Sequence, residues 1–318
     1  MAALGAVSGC TGGGGGDGGD GYDNYPDDDV RWIVPYGTGG GFDLYSRFLA
    51  EHMPEYLPGD GNIVVENVTG AGGQRGATEL YNSDPDGYTL GIYNIPGMIV
   101  AQFIAEAEYR ATEMTWLGTA NQAQYGILVT SDSEYETLTD LQETDELSWG
   151  MTGPGGTSAM VTFIAAEVLE INSNFVMGYD GGEDARAGML RGEVDARMND
   201  FPSAESHVRD GEMRYVVALS RDPPDWVSAP TVVDEGYEQL ADLGLSFMPC
   251  GPPGMDEELQ GILSDAMMQA LQSDEAQAFA EETDRPVNPI GPEETAQIVE
   301  NSVDLVDQYQ SILAERVG

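Results

Sequence analysis

The chain has 318 residues, enough for two domains of ordinary size, and sets 56 acidic against 12 basic side chains, a formal charge of −44. All twelve basic residues are arginine, which excludes a P-loop lysine, a pyridoxal Schiff base and a Ser-Lys dyad. Phosphate contacts need clustered cations, so nucleic acid is an unfavourable partner; the 41% apolar content, recurring with period, separates the chain from acidic disordered proteins.

Taken in order, Val7-Ser8-Gly9-Cys10 has the form of a lipobox, with Ala2 to Val7 as the tail of an apolar segment. A basic leader and more apolar length are missing, so the export signal reads as cut short, its start lying upstream. The competing reading makes Cys10 incidental. Residues 11–29 are mostly Gly, Asp, Asn and Tyr, cannot bury a core and read as a tether. Cys250 is the only other cysteine. With Cys10 lipidated it has no partner, so no disulfide is expected and Cys250 reads as a buried, inert thiol.

From Val30 the pattern alternates strand and helix. Expected strands are Val30 to Pro35, Ile63 to Glu66, Tyr88 to Tyr93, Trp116 to Thr119, Gly126 to Thr130, Phe175 to Met177, Val194 to Met198 and Tyr215 to Leu219. Expected helices are Asp43 to Met53, Gly72 to Tyr81, Leu138 to Glu143, Gly182 to Arg191 and Ala204 to Gly211. Phe247 opens a terminal section with long helices over Asp256 to Glu281 and Pro292 to Ala314. Such alternation implies mainly parallel sheets.

Two stretches share one build, an apolar strand, a glycine-rich turn and an amphipathic helix. One turn is Tyr36-Gly37-Thr38-Gly39-Gly40-Gly41-Phe42-Asp43; the other is Gly153-Pro154-Gly155-Gly156-Thr157-Ser158. Glycines let backbone approach a guest, and unpaired helix-start N–H groups favour a carboxylate or phosphate. Two such turns predict two lobes gripping one small anion.

Other chemistries fit less well. Gly37 and Gly39 match the start of a dinucleotide fingerprint, but Phe42 stands where its third glycine belongs. His52 and His207 are isolated, so no metal site is expected. Gly156-Thr157-Ser158-Ala159-Met160 lacks the second glycine of a nucleophile elbow. Asn67-Val68-Thr69 is a glycosylation sequon, of a kind that also arises by chance.

Several segments resemble the substrate-binding proteins of tripartite tricarboxylate transporters, the TctC or Bug family. They are Ile33 to Asp43, Val65-Glu66-Asn67-Val68-Thr69-Gly70-Ala71-Gly72-Gly73, Asp84-Pro85-Asp86-Gly87-Tyr88-Thr89-Leu90, Gly192-Glu193-Val194-Asp195, Pro202-Ser203-Ala204 and Ala229-Pro230-Thr231-Val232 with Glu235-Gly236, in family order. The resemblance implies a two-lobed α/β fold of the type II periplasmic-binding-protein kind, with 30–124 plus 226–318 as one lobe and 125–225 as the other. It implies ligand contacts from Tyr36, Thr38, Gly39, Gly40 and Asp43 in the first lobe, and from Gly155, Gly156, Thr157 and Ser158 in the second. Asn94 to Gly97 and Asn199 to Ser203, with Asp200 among them, would line the remaining walls. Three departures stand out. Met160 replaces a common histidine, Asn199-Asp200 inverts the usual pair before Pro202, and Arg197 replaces an apolar strand residue. Arg197 shares a strand face with Asn199, so it either reaches the cleft to pair a ligand carboxylate or forms a local salt bridge.

The expected function is capture of a small carboxylate outside the cytoplasm by a lipid-anchored monomer, without cofactor or catalysis, for a large and a small membrane subunit. A sensor subunit presenting the ligand to a membrane receptor, or a surface enzyme on the same scaffold, are the rivals.

The arginine-only, carboxylate-dense composition also resembles proteins of extreme halophiles. Repulsion among 56 acids is screened within roughly 3 Å at molar salt but reaches about 10 Å at 0.1 M. Dialysis from molar salt to about 0.1 M is therefore expected to lose the far-UV circular dichroism of the fold; a full native signal in dilute buffer would show that the charge is incidental to stability.

Overall fold

The computed structural model describes residues 21–104, 107–152, 157–179, 181–241, 243–283 and 285–317. Cys10, Gly155 and Gly156 lie outside them.

The first sheet grows around β1 (Val30–Val34), a nearly all-apolar run buried on both faces. It pairs in parallel with β2 (Ile63–Asn67) on one side and β3 (Thr89–Ile95) on the other. Between them run α1 (Gly41–His52), which buries Tyr45, Ser46, Phe48 and Leu49, and α2 (Gln74–Tyr81). Trp32, fully buried, donates its indole N–H to Ser46 Oγ at 3.0 Å and fixes α1 on the strand. After β3 come α3 (Gly97–Ile104) and the short strands β4 (Thr115–Trp116) and β5 (Asn121–Ala123).

The chain then enters a second sheet. It comprises β6 (Tyr125–Thr130), α4 (Leu138–Glu143), β7 (Leu147–Met151), α5 (Thr157–Val168), β8 (Ser173–Met177), α6 (Gly182–Leu190), β9 (Ala196–Asp200), α7 (Phe201–Arg209) and β10 (Met213–Leu219). Strand order is β10-β6-β9-β7-β8. The chain returns through β11 (Leu245–Gly251), which completes the first sheet in the order β2-β1-β3-β11-β4, with β5 also paired to β11. Helices α8 (Glu257–Leu271), α9 (Asp274–Thr283) and α10 (Pro292–Val317) finish it.

The architecture is the expected mixed α/β, two-lobed binding-protein fold, but the sheets are not mainly parallel. β11 runs antiparallel to β3, β4 and β5, because it re-enters the first sheet from the second lobe; β6 is antiparallel to both β9 and β10. The Val194 to Met198 strand lies two residues further on, at Ala196–Asp200, and α7 starts at Phe201, not Ala204. Asp200 caps it by accepting from Ser203 N at 3.1 Å, and Pro202 sits in the first turn, where a missing N–H carries no cost. The expected helix from Asp256 to Glu281 is two, because Ser273 Oγ accepts from Ala276 N at 3.2 Å and starts α9 afresh. Cys250 is buried in β11 and unbonded, and desolvation raises its thiol well above the usual range.

Helix α10 closes the molecule. It packs against α3 of one lobe and α5 of the other, and Thr119 Oγ1 meets Thr295 Oγ1 at 2.9 Å near its start. One apolar cluster runs from Tyr93 and Trp116 through Leu305, Val306 and Leu313 to Trp149 and Phe163. None of the described helices is long and apolar enough to cross a membrane. Since Leu313 is fully buried, Leu313→Ala is expected to lower unfolding free energy by about 2–5 kcal/mol in denaturant titrations at constant molar salt. A change under about 1 kcal/mol would show that α10 is not part of the core.

Candidate ligand-binding cleft

In sheets of this kind ligands settle beyond the carboxyl ends of the parallel strands. At the end of β1 the chain turns through Tyr36 to Gly40 into α1, with Gly39 at φ +80°, a conformation that favours glycine. Asp43, 2% exposed, organises this turn. Its carboxylate accepts from Gly39 N at 2.8 Å, Arg47 Nε at 2.9 Å, Arg47 Nη2 at 3.0 Å and Asn67 Nδ2 at 2.9 Å. Burial alone raises this carboxyl, but the Arg47 side chain, the Gly39 N–H and the Asn67 amide outweigh it and hold it below the ordinary 3.8. Asn67 Nδ2 also donates to the Tyr36 carbonyl at 2.9 Å, so the nitrogen a glycan would occupy is committed to the turn.

The result is an open helix end. Thr38, Gly39 and Gly40 are exposed, and no described residue accepts from the N–H groups of Gly41 or Phe42. The positive end of the α1 dipole therefore faces outward. Tyr36 lies against Phe42, ring centroids 4.6 Å apart. Burial pushes its hydroxyl up to about 12, with Asn94 beside it.

Next to this end lies a cavity of about 430 Å³ between the lobes. Tyr45, Asn121, Phe247 and Arg285 line it from the first lobe; Tyr125, Asp200 and Ser203 line it from the second. Phe247 stands opposite both Asn94 and Asn121 in the β11 ladders, which puts the three side chains on one face. A hollow of about 390 Å³ along α5 and β8 is lined by Glu167 and Glu170 and is poorly suited to an anion.

In the second lobe Asp200 Oδ1 accepts from Ser203 Oγ at 2.7 Å. Behind it two guanidinium groups are buried: Arg186 is 6% exposed and Arg197 7%. Arg186 reaches Asn199 Oδ1 at 2.9 Å and Ser203 Oγ at 3.3 Å, and pairs with Glu183. Arg197 donates to the Gly150 carbonyl at 3.0 Å and Asn199 Oδ1 at 3.2 Å, with no carboxylate at ion-pair distance among the described residues. Thr157 and Ser158 are half-buried at the start of α5, which follows β7, the parallel neighbour of β9.

The expected residues thus divide. Asp200 and Ser203 line the cavity, Thr38, Gly39 and Gly40 form the open turn, and Asn94 and Tyr36 flank it. Asp43 holds the turn, while Arg197 and Asn199 support the opposite wall from behind. Arg285, Asn121, Tyr45, Phe247 and Tyr125 carried no signal in the sequence, since only the fold brings them together.

Residues 46–315 match the family described as Tripartite tricarboxylate transporter family receptor. The chain belongs to that family. Among its relatives is Protein BugT of Bordetella pertussis, 24% identical over 275 residues and 82% of each chain. The fold is that of a TctC solute binding protein from Polaromonas, with TM-score 0.79 and 18% identity over 90% of this chain and all of that one. MatC of Rhodopseudomonas palustris, its structure holding malate, gives 0.62 and 20% over 91% of this chain and all of that one. R. palustris Rpa4515, with adipate, gives 0.63 and 22% over 91% and 98%. The family and the fold are those of substrate-binding proteins.

Because the folded Asp43 carboxyl lies below its ordinary 3.8, its contribution to stability is present above about pH 4 and is lost as pH falls through the folded value. Asp43→Asn is therefore expected to unfold less steeply than wild type between about pH 4 and 2, in acid titrations followed by circular dichroism at molar salt. Parallel curves for the two proteins would refute the assignment.

Proposed function

We propose that this chain is an extracytoplasmic solute-binding protein that captures a small di- or tricarboxylate, or a related organic acid. It delivers the acid to the large and small membrane subunits of a tripartite tricarboxylate-type transporter. It works as a monomer in strong brine, tethered to the membrane through lipidated Cys10. The units that close on the ligand are 30–124 plus 226–318 and 125–225.

One observation carries this reading. Five buried side-chain polar atoms among the described residues lack a hydrogen-bond partner; Asn121 Oδ1 and Arg285 Nε belong to residues that line the cleft, Asn94 Oδ1 shares the face of Phe247, and Arg186 Nε lies behind the wall of Asp200. Groups of this kind are normally satisfied, so their concentration near one cavity supports a polar guest there. The family and the bound malate and adipate of the two R. palustris proteins support a carboxylate as that guest.

A thermal-shift screen in about 2–3 M salt, starting with malate, adipate and citrate and followed by calorimetry, tests the proposal. A Cβ at Gly40 would come no closer than 3.7 Å to Gly37 O, so Gly40→Val blocks the approach of a ligand without straining the turn. Ser158→Ala removes a hydroxyl from the second lobe. Each is expected to weaken binding about ten- to a hundredfold with unfolding unchanged. Failure of every carboxylate to shift the wild-type melting temperature would sink the reading. For the tether, Cys10→Ser is expected to release the protein to the medium or leave a precursor; an unchanged membrane fraction would count against lipidation.

A further inference from the structure

The segment joining α9 to α10 carries Arg285 to the start of α1. Two contacts fix it there. The Tyr45 hydroxyl donates to the Pro286 carbonyl, and Tyr45 itself packs on Phe247 and Phe279 at centroid distances of 4.7 and 5.4 Å. Gly41, the first residue of α1, shows how close the guanidinium lies. A Cβ on Gly41 would fall 3.0 Å from Arg285 Nη1 and 2.9 Å from Phe247 Cε1. Glycine at this position leaves room for the arginine beside the open helix end.

The Arg285 side chain is also uncommitted among the described residues. It lines the interlobe cavity, its Nε is buried without a partner, and no described carboxylate lies within ion-pair distance of it. Arg31, Arg47, Arg186, Arg191, Arg209 and Arg221 each hold a carboxylate, whereas Arg75, Arg110, Arg197 and Arg214 share with Arg285 the lack of one among the described residues; of these, Arg285 is the one that lines the interlobe cavity. The Nε and Nη groups of a guanidinium form a planar fork matched to the two oxygens of a carboxylate. The Gly41 and Phe42 N–H groups, also without acceptors among the described residues, belong to the same helix end.

From this juxtaposition we infer that Arg285 and the N-terminus of α1 together form a carboxylate seat, and that Arg285 is the charged contact by which the first lobe selects anionic ligands. The inference rests on the carboxylate-binding reading above and names the residue that makes it selective. The ring of Phe247 walls one side of the seat, so the ion pair forms at a partly dehydrated surface where molar salt screens it least.

Calorimetry at about 2 M salt with malate, adipate and the diamide of malate decides it. Wild type is expected to bind either acid at least tenfold more tightly than the diamide. Arg285→Gln should lose about ten- to a hundredfold toward the acids while barely changing the diamide, and Arg285→Lys should recover part of the loss. Arg31→Gln removes one charge from an arginine paired with Glu66 and Glu79 on β1, and should leave both affinities within about twofold. Thermal unfolding of each variant checks that it folds. Equal affinity of wild type and Arg285→Gln for the acids, or equal affinity of wild type for acid and diamide, overturns the seat and leaves the carboxylate reading standing. Failure of wild type to bind any acid sinks that reading and the seat with it.

Discussion

The constraint on which the proposed function depends is the need to hold a carboxylate against a formal charge of −44. Two unit charges 4 Å apart interact by about 1 kcal/mol in water and about 4 kcal/mol at the effective dielectric of a protein surface. At molar salt anything much beyond roughly 3 Å is screened. In brine the diffuse repulsion of surface carboxylates therefore fades, while donors in direct contact with a ligand keep most of their strength. A site in such a protein has to be built from contacts. The cleft supplies them as an open helix end and buried polar atoms, held by a scaffold that uses its own acids internally.

Asp43 shows how that scaffold works. A carboxylate in the first turn of α1 would compete with an incoming anion for the same N–H groups if it faced outward. Here it turns back, accepting from Gly39, Arg47 and Asn67. The acid that complements the helix dipole also ties the glycine turn to β2, and the Gly41 and Phe42 N–H groups are left without an acceptor among the described residues. Asn67 contributes at both ends, donating to Asp43 and Tyr36 while accepting from Arg47 at 3.2 Å. A turn held by six hydrogen bonds loses little entropy when a ligand arrives.

The two-lobed fold and its glycine turn were legible because they depend on local signals. An apolar run, glycines and an amphipathic helix lie within about twenty residues of one another, the range over which pattern rules act. What escaped depended on distant pairing or lacked a period. β11 contains Pro249 and carries no strand expectation, Phe247 reading only as the opening of a terminal helical section, yet it is paired on both sides by segments more than a hundred residues earlier. α3, Gly97–Ile104, is apolar all round and offers no amphipathic signal. Arg285 sits in an irregular connection between two helices, where composition says nothing of what it faces. Its role at the cleft follows only from the packing of Tyr45 and Phe247.

Asp200 sets a further electrostatic problem for the proposed function, because it places a carboxylate in the wall of the cavity. Its local charge is balanced from behind. Arg186 and Arg197 lie buried beneath it, bridged by Asn199 Oδ1, with Glu183 as the acid paired to Arg186. Counting those four side chains, two positive charges meet two negative ones, so the wall is close to neutral despite its acid. The proximity of the two guanidinium groups is itself unfavourable. Burial first, and then the charge of Arg186, lower the pKa of Arg197, while Asp200 acts in the opposite direction. The acid on the wall thus stabilises the buried pair, and the pair in turn offsets the acid. Arg197, Asn199 and Asp200 are therefore parts of one arrangement, in which buried cations stand behind the acid at the cleft.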